Sequence, residues 1–119
     1  MSPHVLVLVG SLRAGSTNAQ LADAAIAHLP AGVDGTVFAR LAELPHYSED
    51  LDHDDSLPEV ARDLREVVAD ADAVLLVSPE YNGSLPGVLK NAVDWVSRPR
   101  GTAATAPKHA AAIGARGFY

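Results

Sequence analysis

Val5-Leu6-Val7-Leu8-Val9 is apolar at every position, not at every second one, and runs straight into Gly10. A strand with one wet face alternates apolar and polar residues, whereas an unbroken run needs both faces covered. Ala73-Val74-Leu75-Leu76-Val77 has the same character. Two such strands in a chain of 119 residues require a parallel sheet with helices packed on each side. Thr36-Val37-Phe38-Ala39 reads as a weaker third strand. His109-Ala110-Ala111-Ala112-Ile113 is a fourth by position alone, because alanine is a poor strand former.

Helical periodicity fills the gaps. Between Asn18 and Leu29, the residues Leu21, Ala22, Ala25, Ile26 and Leu29 share one helical face. Ser56-Leu57-Pro58-Glu59 predicts the next start, with Ser56 as cap and Glu59 closing a capping box. Val60, Leu64, Val67 and Val68 supply the apolar stripe that follows. A third helix begins near Pro86 and runs through Val88, Leu89, Ala92, Val93 and Val96. Apolar over most of its circumference, it is expected to pack on the sheet and against another subunit. The order βαβαβαβ gives an α/β fold: a doubly wound parallel sheet, three layers deep, with right-handed crossovers. Ligands of such sheets bind beyond the strand ends where the winding reverses.

Composition narrows the partners. Nine basic against 15 acidic residues leave a net charge of −6 and no basic stripe, so neither nucleic acid nor membrane is expected. The absence of cysteine removes disulfides, thiolate catalysis and cysteine metal sites together. The start, Met1-Ser2-Pro3-His4, lacks the basic lead of a signal peptide. No segment reaches the roughly 20 apolar residues of a membrane helix. A soluble, cytoplasmic protein is the expectation.

Two loops that follow strands carry the chemistry. Gly10-Ser11-Leu12-Arg13-Ala14-Gly15-Ser16-Thr17-Asn18 joins the first strand to the first helix. Glycines permit a tight turn, the helix start offers free N–H groups, and hydroxyls, an amide and Arg13 add donors for a phosphate. A nucleoside-triphosphate loop would place lysine where Ser16 stands, and a dinucleotide loop would place glycine at Leu12. A single terminal monophosphate fits best; a well-capped turn is the plainer alternative. The second loop is Ser78-Pro79-Glu80-Tyr81-Asn82-Gly83-Ser84-Leu85-Pro86. Its prolines stiffen both ends and Asn82-Gly83 turns tightly, so its backbone can read the edge of a flat heterocycle.

Residues 10–18, together with Ser-Pro-Glu-Tyr-Asn-Gly-Ser-Leu-Pro-Gly-Val-Leu-Lys-Asn-Ala-Val-Asp-Trp-Val-Ser-Arg-Pro at 78–99, resemble the NADPH-dependent FMN reductases. Relatives in that family are named for quinone, azo-dye and chromate reduction. The first segment matches the pattern G-S-x-R-x-x-S-x-N at every fixed position. The resemblance implies a flavodoxin-like fold, with 1–119 as a single FMN-binding domain. It implies that Ser11, Arg13, Ser16, Thr17 and Asn18 surround the FMN phosphate. Pro79, Glu80, Tyr81, Asn82 and Gly83 would run beside the isoalloxazine ring. Lys90, Asn91, Asp94, Trp95 and Arg98 are assigned to structure and assembly, as a homodimer or homotetramer. Family members continue past the fourth strand with a glycine-rich loop, a helix and a fifth strand. This sequence stops at Gly114-Ala115-Arg116-Gly117-Phe118-Tyr119, so a domain incomplete at its C-terminus, lacking the last strand and helix, is expected.

The implied activity is NAD(P)H-dependent oxidoreduction, with FMN as cofactor and NADPH or NADH as donor. The small-molecule electron acceptor could be a quinone, an azo compound, a flavin or a metal oxyanion. No catalytic acid or base is nominated, because the flavin performs the chemistry. A flavodoxin-type electron carrier and a flavin-free assembly fragment are the alternatives. The acidic stretch from Glu43 to Asp55 reads as a solvated loop and not a metal site, since its carboxylates follow no ordered ligand spacing. His4, His28 and His109 read as structural.

Overall fold

The computed structural model describes residues 3–10, 17–78, 86–98 and 109–113, with the last five described by backbone alone. Four strands alternate with three helices: β1 (His4–Val9), α1 (Thr17–Ala27), β2 (Asp34–Val37), α2 (Glu59–Asp70), β3 (Ala73–Val77), α3 (Gly87–Val96) and β4 (His109–Ile113). A 3₁₀ turn at Leu41–Glu43 follows β2. All three strand pairings are parallel and the order is β2-β1-β3-β4. These are the first four places of the flavodoxin-like order, with the reversal of winding between β1 and β3.

The unbroken apolar runs occupy the centre, as two-sided burial demands. β1 pairs with β3 from Val5↔Ala73 to Val9↔Val77. Their residues then sort by alternation into two cores. Val5, Val7, Val9, Leu75 and Val77 pack against Leu21, Ala22 and Ile26 of α1. Leu6, Leu8, Val74 and Leu76 face Leu64 and Val68 of α2 and Leu89, Ala92 and Trp95 of α3. One sheet thus has helices on both faces, which makes three layers. Leu64 and Leu89 are wholly buried, and each such side chain contributes about 2 kcal/mol by removal from water.

β2 has the same four-residue length as the expected Thr36–Ala39 but begins two residues earlier, at Asp34. Its ladder with β1 runs from His4↔Asp34 to Val7↔Val37. Gly35 lies where α1 comes closest: a β-carbon there would stand 2.7 Å from the Leu29 side chain and 3.2 Å from Ile26. Gly32, in the turn before β2, holds φ at +85°. Gly32→Ala is therefore expected to cost about 1 kcal/mol, read as a lower urea midpoint with unchanged slope.

The capping box does not form. Pro58 occupies the position before α2, with no side-chain cap. The Ser56 hydroxyl lies instead 3.1 Å from the Leu51 carbonyl oxygen and 3.3 Å from that of Asp50, donating back into its own loop. Pro58 explains the difference: with its fixed φ of −58° it takes the cap position two residues beyond Ser56, and the helix starts at Glu59. His4 has the structural role expected of it. Its N–H donates to Asp72 (2.7 Å) while Asp72 N–H donates to its carbonyl (2.9 Å), tying the starts of β1 and β3. Its Nε2 also lies 2.9 Å from the Thr36 hydroxyl.

Candidate functional site

Both loops leave the sheet at one place. The Gly10 N–H donates to the Val77 carbonyl at 2.8 Å, extending the β1–β3 ladder to the point where the two chains diverge. Beyond Gly10 the chain re-enters as α1; beyond Ser78 it re-enters at Pro86. Parallel pairing puts these departures side by side at the carboxyl ends of the two central strands.

Of the expected phosphate residues, Thr17 opens α1 and Asn18 follows in its first turn. Asn18 is the buried polar side chain among the described residues, only 5% exposed. Burial of an amide is costly unless it is hydrogen-bonded, so its placement at this helix start is specific. Ser11, Arg13 and Ser16 lie outside the described residues, as do Pro79, Glu80, Tyr81, Asn82 and Gly83. At the far end of the second loop Pro86 is buried and extended (φ −58°, ψ 149°). Its carbonyl accepts from the N–H groups of Leu89 and Lys90, at 3.1 and 3.0 Å, and so starts α3.

The α3 residues assigned to structure form a clip on the loop after β2. Trp95 Nε1 and Asn91 Nδ2 both donate to the Pro45 carbonyl, at 2.9 and 3.0 Å. Asn91 Oδ1 accepts from the Tyr47 N–H at 2.8 Å. The Tyr47 ring meets Trp95 edge-on at 4.8 Å, and Arg98 lies over Tyr47 at 4.9 Å. Lys90 and Asp94 pair on the surface at 2.6 Å, one turn apart. Much of the apolar circumference of α3 is therefore covered by its own chain. Among the described residues the exposed large apolar side chain is Val37, which is not on this helix.

The acidic stretch is not uniformly solvated, and this corrects its reading as a free loop. Arg65 donates to both Asp52 oxygens, at 2.9 and 3.0 Å, and to the Trp95 carbonyl at 2.8 Å. The Tyr47 hydroxyl donates to Asp52 at 2.9 Å. The Arg65 hydrogen bonds hold the Asp52 carboxyl below its ordinary value of 3.8; burial opposes them and the Tyr47 hydroxyl adds to them. Burial, with the hydrogen bond to Asp52, raises the Tyr47 phenol. No spacing rule links Asp52 to Arg65 or Pro45 to Trp95. The available hint was an indole N–H that needs an acceptor.

A lowered carboxyl stabilises the fold while ionised. The contribution is complete above the unfolded value and is lost as pH falls through the folded one. Asp52→Asn is therefore expected to be less stable than the parent at neutral pH. In urea titrations the gap should begin to narrow below the ordinary carboxyl value of 3.8 and close once the pH lies below the lowered folded value. A gap that stays constant with pH would contradict the ion-pair assignment.

Between α1 and the chain that follows β2 lies a cavity of about 290 Å³. Ala19, Ala22 and Asp23 of α1 form one wall, Val9 the floor, and the chain from Val37 to Ala42 the other wall. Among the described residues no three histidine, aspartate or glutamate side chains gather as a metal site. No described helix is long and apolar enough to cross a membrane.

The sequence profile of the NADPH-dependent FMN reductases matches residues 3–118. A 2-hydroxy-1,4-benzoquinone reductase of a Burkholderia species is 48% identical over 114 residues, 96% of this chain and 61% of that protein. A quinone reductase of Escherichia coli K12 is 40% identical over 95 residues, 80% of this chain and 50% of its own length. Among solved structures, FerB, a flavoenzyme NAD(P)H:(acceptor) oxidoreductase from Paracoccus denitrificans, superposes with a TM-score of 0.85 at 39% identity. That match covers 94% of this chain and 60% of FerB. The chain thus spans between half and about three-fifths of these relatives. With that profile across nearly its whole length, and the strand order and loop departures described above, the chain belongs to the NADPH-dependent FMN reductase family.

Proposed function

We propose that this chain is the FMN-binding domain of an NAD(P)H-dependent oxidoreductase that reduces a small acceptor of the quinone class. The observation that carries the reading is the joint departure of both loops from adjacent strand ends, closed by the Gly10–Val77 hydrogen bond. A phosphate held by the first loop and a ring read by the second then belong to one ligand. The donor set fits FMN: a buried amide at Asn18, in the first turn of a helix whose N-terminus favours an anion, and no lysine of a triphosphate loop.

In this reading Ser11, Arg13, Ser16, Thr17 and Asn18 hold the phosphate. Backbone groups of Pro79, Glu80, Tyr81, Asn82 and Gly83 orient the ring and stabilise negative charge at its polar edge. Bound FMN supplies the redox chemistry, taking hydride from NADH or NADPH and passing electrons onward. The clip at Asn91, Trp95 and Tyr47 fixes α3, and with it the end of the ring loop at Pro86. The benzoquinone and quinone reductases among the relatives support a quinone acceptor. Azo compounds, flavins and metal oxyanions are the other acceptors to assay.

A cytoplasmic location and assembly as a homodimer or homotetramer go with this reading. Sedimentation at micromolar concentration should then show a dimer or larger, and a strict monomer would count against it. The activity test is anaerobic. NADH or NADPH should bleach the FMN-loaded protein, and a benzoquinone should restore the colour. Bleaching by dithionite but by neither nucleotide would instead assign an electron carrier.

A further inference from the structure

We infer that Trp95, Tyr47 and Asp52 form an outlet for oxidising equivalents: an electron vacancy on the buried indole moves to the Tyr47 ring while the phenol proton moves to Asp52. The inference goes beyond the reductase reading and uses neither of the two loops. Trp95 is the sole tryptophan of the chain and is wholly buried. A one-electron oxidant strong enough for indole, a light-excited flavin or a small oxidising radical, leaves a radical cation there, and an uncompensated charge in a core is costly. The indole has no base to relieve it. Its N–H donates to the Pro45 carbonyl at 2.9 Å, an amide oxygen that binds a proton only weakly. The Arg65 guanidinium, 5.6 Å from the indole centre, repels a second positive charge.

Tyr47 offers the charge a way out. Its ring meets the indole edge-on with centroids 4.8 Å apart, so the two π-systems touch and an electron needs no intervening bridge. Its hydroxyl donates to the Asp52 carboxylate at 2.9 Å, the reach over which a positioned base takes a proton. Arg65 holds that carboxylate through two hydrogen bonds, at 2.9 and 3.0 Å, which fixes it in place and weakens it as a base. An oxidised phenol is a far stronger acid than a carboxylic acid, so the proton still transfers. Arg98 lies over the Tyr47 ring at 4.9 Å and pairs with Glu49 at 3.6 Å. It repels a cation on that ring but not a neutral phenoxyl. The step balances: Tyr47 gives one electron to the indole radical cation and one proton to Asp52. What remains is neutral Trp95, a neutral tyrosyl radical and a protonated carboxyl. Tyr47 is half-buried, unlike Trp95, so a thiolate or ascorbate in solution can return the electron as Asp52 returns the proton.

Laser photoionisation at the red edge of indole absorption, where tyrosine is transparent, places the vacancy on Trp95; a cobalt(III) ammine in solution takes up the ejected electron. Transient absorption should show the indole radical decaying while a tyrosyl radical rises with the same time constant. Heavy water should slow that rise, because the phenol proton moves with the electron. Tyr47→Phe keeps the ring and removes the O–H, so it should lose the tyrosyl signal and prolong the indole radical. Asp52→Asn, folded by circular dichroism, should slow the transfer, since an amide is a much weaker base than a carboxylate. The other tyrosines are Tyr81 and Tyr119. A tyrosyl signal that survives in Tyr47→Phe would give the vacancy to one of them and overturn the inference. So would an indole radical of equal lifetime in parent and variant, or a rise indifferent to both heavy water and Asp52→Asn.

Discussion

Trp95→Ala is expected to lower the unfolding free energy by about 4 kcal/mol, the usual loss for a large aromatic removed from a core. Trp95 is wholly buried between α3 and the sheet and is the largest such side chain described. The variant loses its packing, the edge contact with Tyr47 and a face on which Arg65 lies at 5.6 Å. The Pro45 carbonyl keeps its bond from Asn91, so it is not left bare. Packing therefore dominates the loss, and Trp95→Phe should recover most of it, remaining about 1 kcal/mol short for the missing N–H donor. Domains of this size hold about 5–15 kcal/mol in all, so the alanine variant sits near unfolding while the phenylalanine variant stays measurable. Equal losses in the two would mean that the hydrogen bond, not the ring, carries the clip.

The double variant Ser16→Ala, Asn18→Ala should weaken FMN by about 3 kcal/mol, roughly a hundredfold in Kd. Each substitution removes one donor to a charged phosphate. Asn18 is buried, so its loss can also disturb the start of α1. Circular dichroism of the variant separates the two effects, since a folded protein with weakened FMN isolates the phosphate contact. Unchanged affinity in a folded double variant would remove the first loop from the site.

The central strands and the layer order were legible because uninterrupted apolar runs have one solution, burial on both faces. Val5 to Val9 and Ala73 to Val77 pair along their whole length, and alternation alone divides them between α1 and the pair α2 and α3. β2 was less legible because an edge strand carries little apolar signal. Asp34, Thr36 and Val37 are all exposed, and the glycine at position 35 reflects the closeness of α1. The start of α2 was misread because Ser56 and Glu59 have the spacing of a capping box, while Pro58 between them sets where the helix begins.

The two loops were legible because turn and anion chemistry is local: glycines, hydroxyls and a helix start follow one another in the chain. The clip was not legible. Tyr47, Asp52, Arg65, Asn91 and Trp95 are brought together by packing, across 44 residues between Tyr47 and Asn91. Five residues of ordinary type, spread over three segments, carry no periodic or motif signal until the fold is known. The same holds for the cavity between α1 and the chain after β2, which only the packing of the two segments creates.

The most direct test of the account is an absorbance spectrum of the protein after incubation with FMN and desalting. The account predicts retained flavin bands in the blue and near ultraviolet, shifted from those of free FMN and lost in the Ser16, Asn18 double variant. A colourless protein, folded by circular dichroism yet unable to retain FMN, would contradict it.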